Sequence, residues 1–160
     1  VILGILGYTT SNNWRYIMSY SIAFSQALEI TSYIAIKSEE QYYEYLSIQK
    51  ISEKLNIPIP SIKKISSLLK KNGILTSKTG SSGGLRLAKD SKEITIYDIL
   101  EAIEGTRQLF KIHTDFDTTA FQNRESVEKW LQESSKLLYE AEDAMENVLR
   151  GVTLDELDKR

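Results

Sequence analysis

From Ser47 to Ala88 the chain sets out a short amphipathic helix, a proline-marked turn, a second helix and a glycine-tipped pair of strands, an order that few folds accept. Ile48, Ile51 and Leu55 recur at i, i+3 and i+7, which predicts a helix from Ser47 to about Leu55. Pro58 and Pro60 lack backbone N–H groups, so they belong before or within the first turn of the next helix, and Asn56–Pro60 reads as the turn. That next helix is predicted from about Ser61 to Lys71. Ile62, Ile65, Leu68 and Leu69 form one stripe, and Ser61, Lys63, Lys64, Ser67, Lys70 and Lys71 cover the rest. Asn72-Gly73 ends it with a left-handed cap. Ile74–Thr79 is β-prone, Gly80-Ser81-Ser82-Gly83-Gly84 is a turn, and Leu85–Ala88 alternates as a second strand does, which predicts a hairpin.

The flanks are helical. Ala23, Ala27, Ile30 and Ile34 give Ser21–Lys37 a core-facing side, and the polar, tyrosine-rich Ser38–Leu46 reads as a loop or a frayed helix end. Thr95-Ile96-Tyr97-Asp98 matches a capping box, Ile96, Ile99, Leu100 and Ile103 supply the core face after it, and Gly105 is the stop. Residues 107–123 read as an irregular connection. Between Arg124 and Arg150, Val127, Leu131, Ser134, Leu138, Ala141, Met145 and Val148 advance alternately by four and three, and Trp130, Leu137 and Ala144 widen the stripe. Such a stripe has little of its own chain left to cover it, so it predicts pairing with a second copy, with Val127, Trp130, Leu131, Leu138, Ala141, Met145 and Val148 at the contact. Gly151 stops the helix, and Thr153-Leu154-Asp155-Glu156 caps a short terminal one.

The expected fold class is mainly α with a small β-hairpin wing: a winged helix-turn-helix over residues 18–106, the connection at 107–123, and a dimerisation helix with a short terminal helix at 124–160. Val1–Gly7 is apolar but has neither a basic region before it nor a small-residue cleavage site after it, so it is not read as a secretory signal. Met18 reads as the natural start, and residues 1–17 as an upstream or non-native extension.

Charge is sorted along the chain. Residues 47–92 carry ten basic side chains (Lys50, Lys54, Lys63, Lys64, Lys70, Lys71, Lys78, Arg86, Lys89, Lys92) against Glu53 and Asp90, a net of +8. Residues 1–46 hold two basic and four acidic side chains, and residues 93–160 hold eight and sixteen, nets of −2 and −8. A basic block inside an otherwise acidic protein marks a local polyanion surface. Other chemistries find little support. There are no cysteines, which removes disulfides, thiolate catalysis and a cluster held by the chain's own thiolates. Gly80–Gly84 lacks the Lys and Ser/Thr of a nucleotide-binding loop, there is one histidine, and no nucleophile motif stands out, so no enzyme is expected. His113, Asp115 and Asp117 are too few and too flexible for a metal site. No apolar run reaches membrane length, and a cytoplasmic location is expected.

Duplex DNA suits the basic block. A major groove about 12 Å wide admits one helix, whose exposed Ser61, Lys63, Lys64 and Ser67 would meet phosphates and base edges. Lys78, Thr79, Gly80, Ser81, Ser82, Gly83, Gly84 and Arg86 would bring the hairpin to the backbone, the glycines allowing close approach and offering amides to phosphate. The alternative is a winged module that docks a regulatory protein partner.

The residues also resemble a known family. Ser47-Ile-Gln-Lys-Ile-Ser-Glu-Lys-Leu, Ile57-Pro-Ile-Pro-Ser-Ile-Lys-Lys-Ile, Leu68-Leu-Lys-Lys-Asn-Gly-Ile-Leu, Gly80-Ser-Ser-Gly-Gly-Leu-Arg-Leu-Ala and Ile94-Thr-Ile-Tyr-Asp-Ile-Leu-Glu-Ala-Ile-Glu-Gly resemble the Rrf-two family of bacterial winged helix-turn-helix regulators, from Met18 to Val152-Thr-Leu-Asp-Glu-Leu. The resemblance implies a homodimer paired through the C-terminal helix on a partly palindromic operator, with DNA contacts on the helix after Pro60 and on the wing. Two departures stand out. Leu85 occupies a place where the family often has an aromatic, and residues 107–123 lack the three cysteines of cluster-bearing members. The chain is therefore most similar to a cluster-free branch, with no cofactor of its own. A small-molecule effector would fit between the connection and the long helix, with Trp130 or Phe116 as walls.

Overall fold

Five α-helices and one antiparallel hairpin make up residues 21–40 and 44–159, the part of the chain described by the computed structural model. The expected extension at residues 1–17 and the expected start at Met18 lie outside the described residues. The helices are α1 (Ile22–Glu39), α2 (Ile48–Leu55), α3 (Ile59–Lys71), α4 (Ile96–Glu104) and α5 (Arg124–Arg150). The strands are β1 (Leu75–Lys78) and β2 (Gly84–Leu87), and two 3-10 turns cover Ser91–Glu93 and Leu154–Lys159.

Hydrophobic spacing decides which faces turn inward. Ala27, Ile30 and Ile34 of α1 keep no exposed surface, and they meet Ile51 of α2, Ile62, Ile65 and Leu69 of α3, and Ile99 of α4 in one core. Each such aliphatic side chain contributes about 1.5–3 kcal/mol through burial. Thr31 is buried among them and satisfies its hydroxyl on the Ala27 carbonyl at 2.8 Å.

The turn between α2 and α3 follows from its residues. Ser47 caps α2 by accepting from Lys50 N at 3.2 Å, and Asn56 ends it in the left-handed conformation at φ 53°. Both prolines fit the opening of α3, which starts at Ile59, two residues ahead of the sequence expectation. It closes with paired bonds, Gly73 N donating to Lys70 O at 3.1 Å and Ile74 N to Leu69 O at 2.9 Å. The hairpin pairs Leu75 with Leu87, Thr76 with Arg86, Ser77 with Leu85 and Lys78 with Gly84. Leu46 adds a third edge, exchanging bonds with Leu85 at 2.9 and 2.8 Å, so the wing is tied to the segment just ahead of α2.

The capping box of α4 is complete: Thr95 N donates to Asp98 Oδ2 at 2.8 Å, and Asp98 N to Thr95 Oγ1 at 3.0 Å. Thr95→Ala is expected to cost about 1 kcal/mol, measured as a lower urea midpoint with an unchanged slope. Arg150 of α5 stacks its guanidinium 3.3 Å from the centre of the Tyr97 ring and pairs with Glu146 at 3.0 Å; burial pushes the Tyr97 phenol up. After Gly151 the chain returns to the core, where Ile96 N donates to Val152 O at 2.9 Å and Leu154 N to Ile94 O at 2.8 Å. Thr153 N donates to the carboxylate of Glu156, which reaches back to it at 2.9 Å, but the turn that follows is 3-10.

The stretch between α4 and α5 forms no helix or strand among the described residues, yet carboxylates fasten it. Buried Glu104 accepts from Ser21 N at 2.7 Å and from Arg107 at 3.0 Å. Buried Glu142 of α5 accepts from Leu109 N at 2.6 Å and Phe110 N at 3.5 Å. Near its end, Thr119 donates to Asp117 from both its amide and its hydroxyl, which lowers the carboxyl's pKa.

Candidate nucleic-acid interface

With Ile62, Ile65, Ser66 and Leu69 buried, and a helix turning about 100° per residue, the outward face of α3 is set. Pro60, Lys64, Ser67 and Lys71 stand along its middle, all exposed, with exposed Lys63 on the flank it shares with Lys70. Lys70 Nζ donates to Ser77 Oγ of β1 at 3.3 Å, so that flank faces the wing. Of the four helix residues expected from the sequence, Lys63, Lys64 and Ser67 are presented to solvent and Ser61 sits half-buried at the opposite margin. Pro60 and Lys71 join them; for Lys71 the signal is its place one turn beyond Ser67.

Strand alternation sorts the wing. The register sets Thr76, Lys78 and Arg86 on one face and Leu75, Ser77, Leu85 and Leu87 on the other, where Leu85 is buried. Arg86 lies 4.9 Å from the Tyr45 ring centre and Lys78 Nζ 5.6 Å from it, so one aromatic ring gathers both wing cations. Glu44 also reaches Arg86, at 3.5 Å. Lys78, Thr79, Gly80, Ser81 and Ser82 are exposed at the tip.

The paired glycines also have a role inside the wing. A Cβ on Gly84, whose φ is +153°, would collide with the Leu46 carbonyl, and one on Gly83 would collide with the Lys78 carbonyl. The Gly83 amide is already spent on Gly80 O at 3.0 Å. Both residues are small because the wing must close on its own backbone.

A polar cleft of about 370 Å³ lies between the wing and the start of α2, lined by Glu44, Tyr45, Ser47, Lys50, Lys78, Ser81, Ser82 and Gly83. Tyr45, Ser47 and Lys50 carry no site signal in the sequence beyond the lysine's place in the basic block. Chemically, exposed ammonium groups on α3 and the wing, with serine hydroxyls between them, can attract a polyanion and donate to phosphate oxygens.

The expected stripe of α5 is divided. Val127, Leu131 and Met145 are half-buried against their own chain, while Trp130, Leu138, Ala141 and Val148 are exposed together with Leu137 and Ala144. The stripe is wide enough that one margin meets the protein's own chain while the other faces solvent. The outward row is Trp130, Ser134, Leu137, Ala141, Ala144 and Val148, with Trp130, Leu137 and Val148 exposed by 64, 65 and 63%.

A family model described as "Rrf2: Iron-dependent Transcriptional regulator" matches residues 20–160. The chain belongs to the Rrf2 family. It is similar to the HTH-type transcriptional regulator IscR of Pectobacterium atrosepticum, 30% identical over 108 residues that make up 67% of this chain and 60% of that protein. In structure, this Rrf2 chain is similar to CymR, the global cysteine regulator of B. subtilis, with a TM-score of 0.63, 23% identity, and coverage of 87% of this chain and 95% of that one. It is also similar to T. potens IscR, with a TM-score of 0.58, 23% identity and coverage of 88% and 86%. These likenesses show the winged-helix fold.

Iron needs thiolate, imidazole or carboxylate donors held together. The chain has no cysteine, and among the described residues no three His, Asp or Glu side chains converge as a metal site. Asp117 in the connection is taken up by Thr119, and Glu128 on α5 is held below the usual carboxylate range by Arg124 Nε at 2.7 Å. Among the described residues, no donor set fits a bound iron or cluster.

Proposed function

We propose that this Rrf2 chain is a sequence-specific DNA-binding transcription regulator, a cytoplasmic repressor acting as a homodimer on a partly palindromic operator without a cluster of its own. One observation carries the reading: the exposed Lys63, Lys64, Ser67 and Lys71 surface of α3 lies beside a wing whose Lys78 and Arg86 are gathered on Tyr45. In this reading α3 enters the major groove, the wing tip meets the flanking backbone, and the cleft at Ser47 and Lys50 takes an intervening phosphate. The family match and its regulator relatives support it.

The test is fluorescence anisotropy with duplex from the gene's own promoter and with random duplex, over a range of salt. Selective binding that falls steeply with salt is expected. Equal affinity for both duplexes at physiological salt would overturn the reading, and recovery of a specific protein partner without DNA selectivity would favour a docking module instead.

Pairing is assigned to the outward row of α5. Leu137→Asp places a charge in the middle of that row, where its partner would bury it without a counter-ion. Sedimentation velocity should then give a monomer, with operator affinity reduced at least about tenfold through loss of the second half-site. A dimer unchanged by the substitution would move the contact elsewhere.

A further inference from the structure

We infer that the groove between the connection and α5 is a binding site for a small organic cation with an aromatic or aliphatic body. The groove is open to solvent and offers about 700 Å³, within the range of small-molecule sites. Ile112 and Phe116 of the connection form one wall, and Leu131 and Tyr139 of α5 the other. Phe116 is braced by Phe121, ring centres 5.9 Å apart, and both Phe116 and Tyr139 keep about two-fifths of their surface open, at 43 and 41%. Trp130 takes no part, because it stands on the outward row.

Charge selects the ligand class. The charged lining residues are Lys136, Glu140 and Asp143, with His113 beside them. Lys136 Nζ is 3.7 Å from Glu140, so that pair neutralises itself, and Asp143 makes no ion pair among the described residues. Two carboxylates against one ammonium leave the rim negative, in a segment with a net charge of −8. Aromatic faces beside an uncompensated carboxylate favour a cation whose charge is spread over an apolar body, and they disfavour an anion of the same shape.

The groove is separate from the proposed pairing surface. On a helix of about 100° per residue, Gln132, Tyr139 and Asp143 lie a third of a turn or more from the Trp130–Leu137–Val148 row, with Lys136 and Glu140 between. Its outer wall is also anchored: Glu142 holds the backbone of Leu109 and Phe110, three and two residues ahead of the lining segment. Occupancy therefore bears on the position of the strap that joins the winged module to α5.

The experiment is calorimetric titration of the full chain without DNA, so its outcome does not depend on the operator reading. Tetraphenylphosphonium is the probe, and tetraphenylborate is its anionic counterpart of like shape. The phosphonium should bind once per chain and at least about tenfold more tightly than the borate. Asp143→Asn should weaken it about fivefold or more while leaving the melting curve in place, Tyr139→Ala should weaken it likewise, and Glu133→Gln on another face should change nothing. Equal binding of the two ions, no binding of the phosphonium, or indifference to Asp143→Asn overturns the proposal. So does a Tyr139→Ala protein that loses its dimer in sedimentation, because the groove is then a contact between copies.

Discussion

Removing Lys63 and Lys64 together is expected to lower DNA affinity about 30-fold at 0.15 M salt and to flatten its salt dependence. The magnitude follows from counterion release: each lysine on a phosphate contributes about 0.9 to the slope of log affinity against log salt, so two lost contacts reduce the slope by about 1.8. Both side chains are exposed on α3, away from Ile62 and Ile65, so Lys63→Ala/Lys64→Ala should melt within about 0.5 kcal/mol of the parent protein. Anisotropy titrations at several salt concentrations read both quantities. Promoter and random duplex should lose nearly the same factor, because phosphates are common to both. A loss confined to the promoter duplex, with an unchanged slope, would assign these lysines to base edges instead. A melting temperature that falls in step with affinity would mean that they hold the helix and not the DNA.

The second large effect is on stability. Gly84→Ala is expected to cost about 3 kcal/mol or more, because two penalties meet there. The backbone at φ +153° is one that side chains rarely adopt, and the new methyl would run into the Leu46 carbonyl that pairs with Leu85. Relief requires the hairpin to move off the segment ahead of α2, which breaks the Leu46–Leu85 bridge and unseats Tyr45 from Lys78 and Arg86. Urea unfolding should show a much lower midpoint, and DNA binding of whatever remains folded should weaken. Ser82→Ala at the exposed tip serves as the comparison and should change stability by no more than about 0.5 kcal/mol. If Gly84→Ala unfolds at the parent's midpoint, the wing is not fastened where the Leu46 bridge puts it.

Local chemistry made much of the framework legible. Ser47, Thr95 and Asn123 each accept the amide three residues on, and such caps depend on a few neighbouring atoms. The stripes of α1 through α4 could be read because an apolar face at helical spacing has one way to leave water. The start of α3 was less sharp, since proline is compatible with both a turn and a first helical turn. The row on α5 was blurred for another reason: Trp130, Leu137 and Ala144 look like the margin of a heptad in sequence, and only the half-burial of Val127, Leu131 and Met145 against their own chain turns them outward.

What the sequence by itself determined is the order of elements, the cationic face of α3 and the absence of thiolate ligands, because each depends on residue type and short-range spacing. Tertiary structure alone decided that Leu46 completes the wing, that Tyr45 collects its two cations, that Gly83 and Gly84 serve the wing's own closure, and that a groove opens between Phe116 and Tyr139. Those features join residues far apart in the chain, and the energy that fixes them comes from contacts that exist only once the helices have packed.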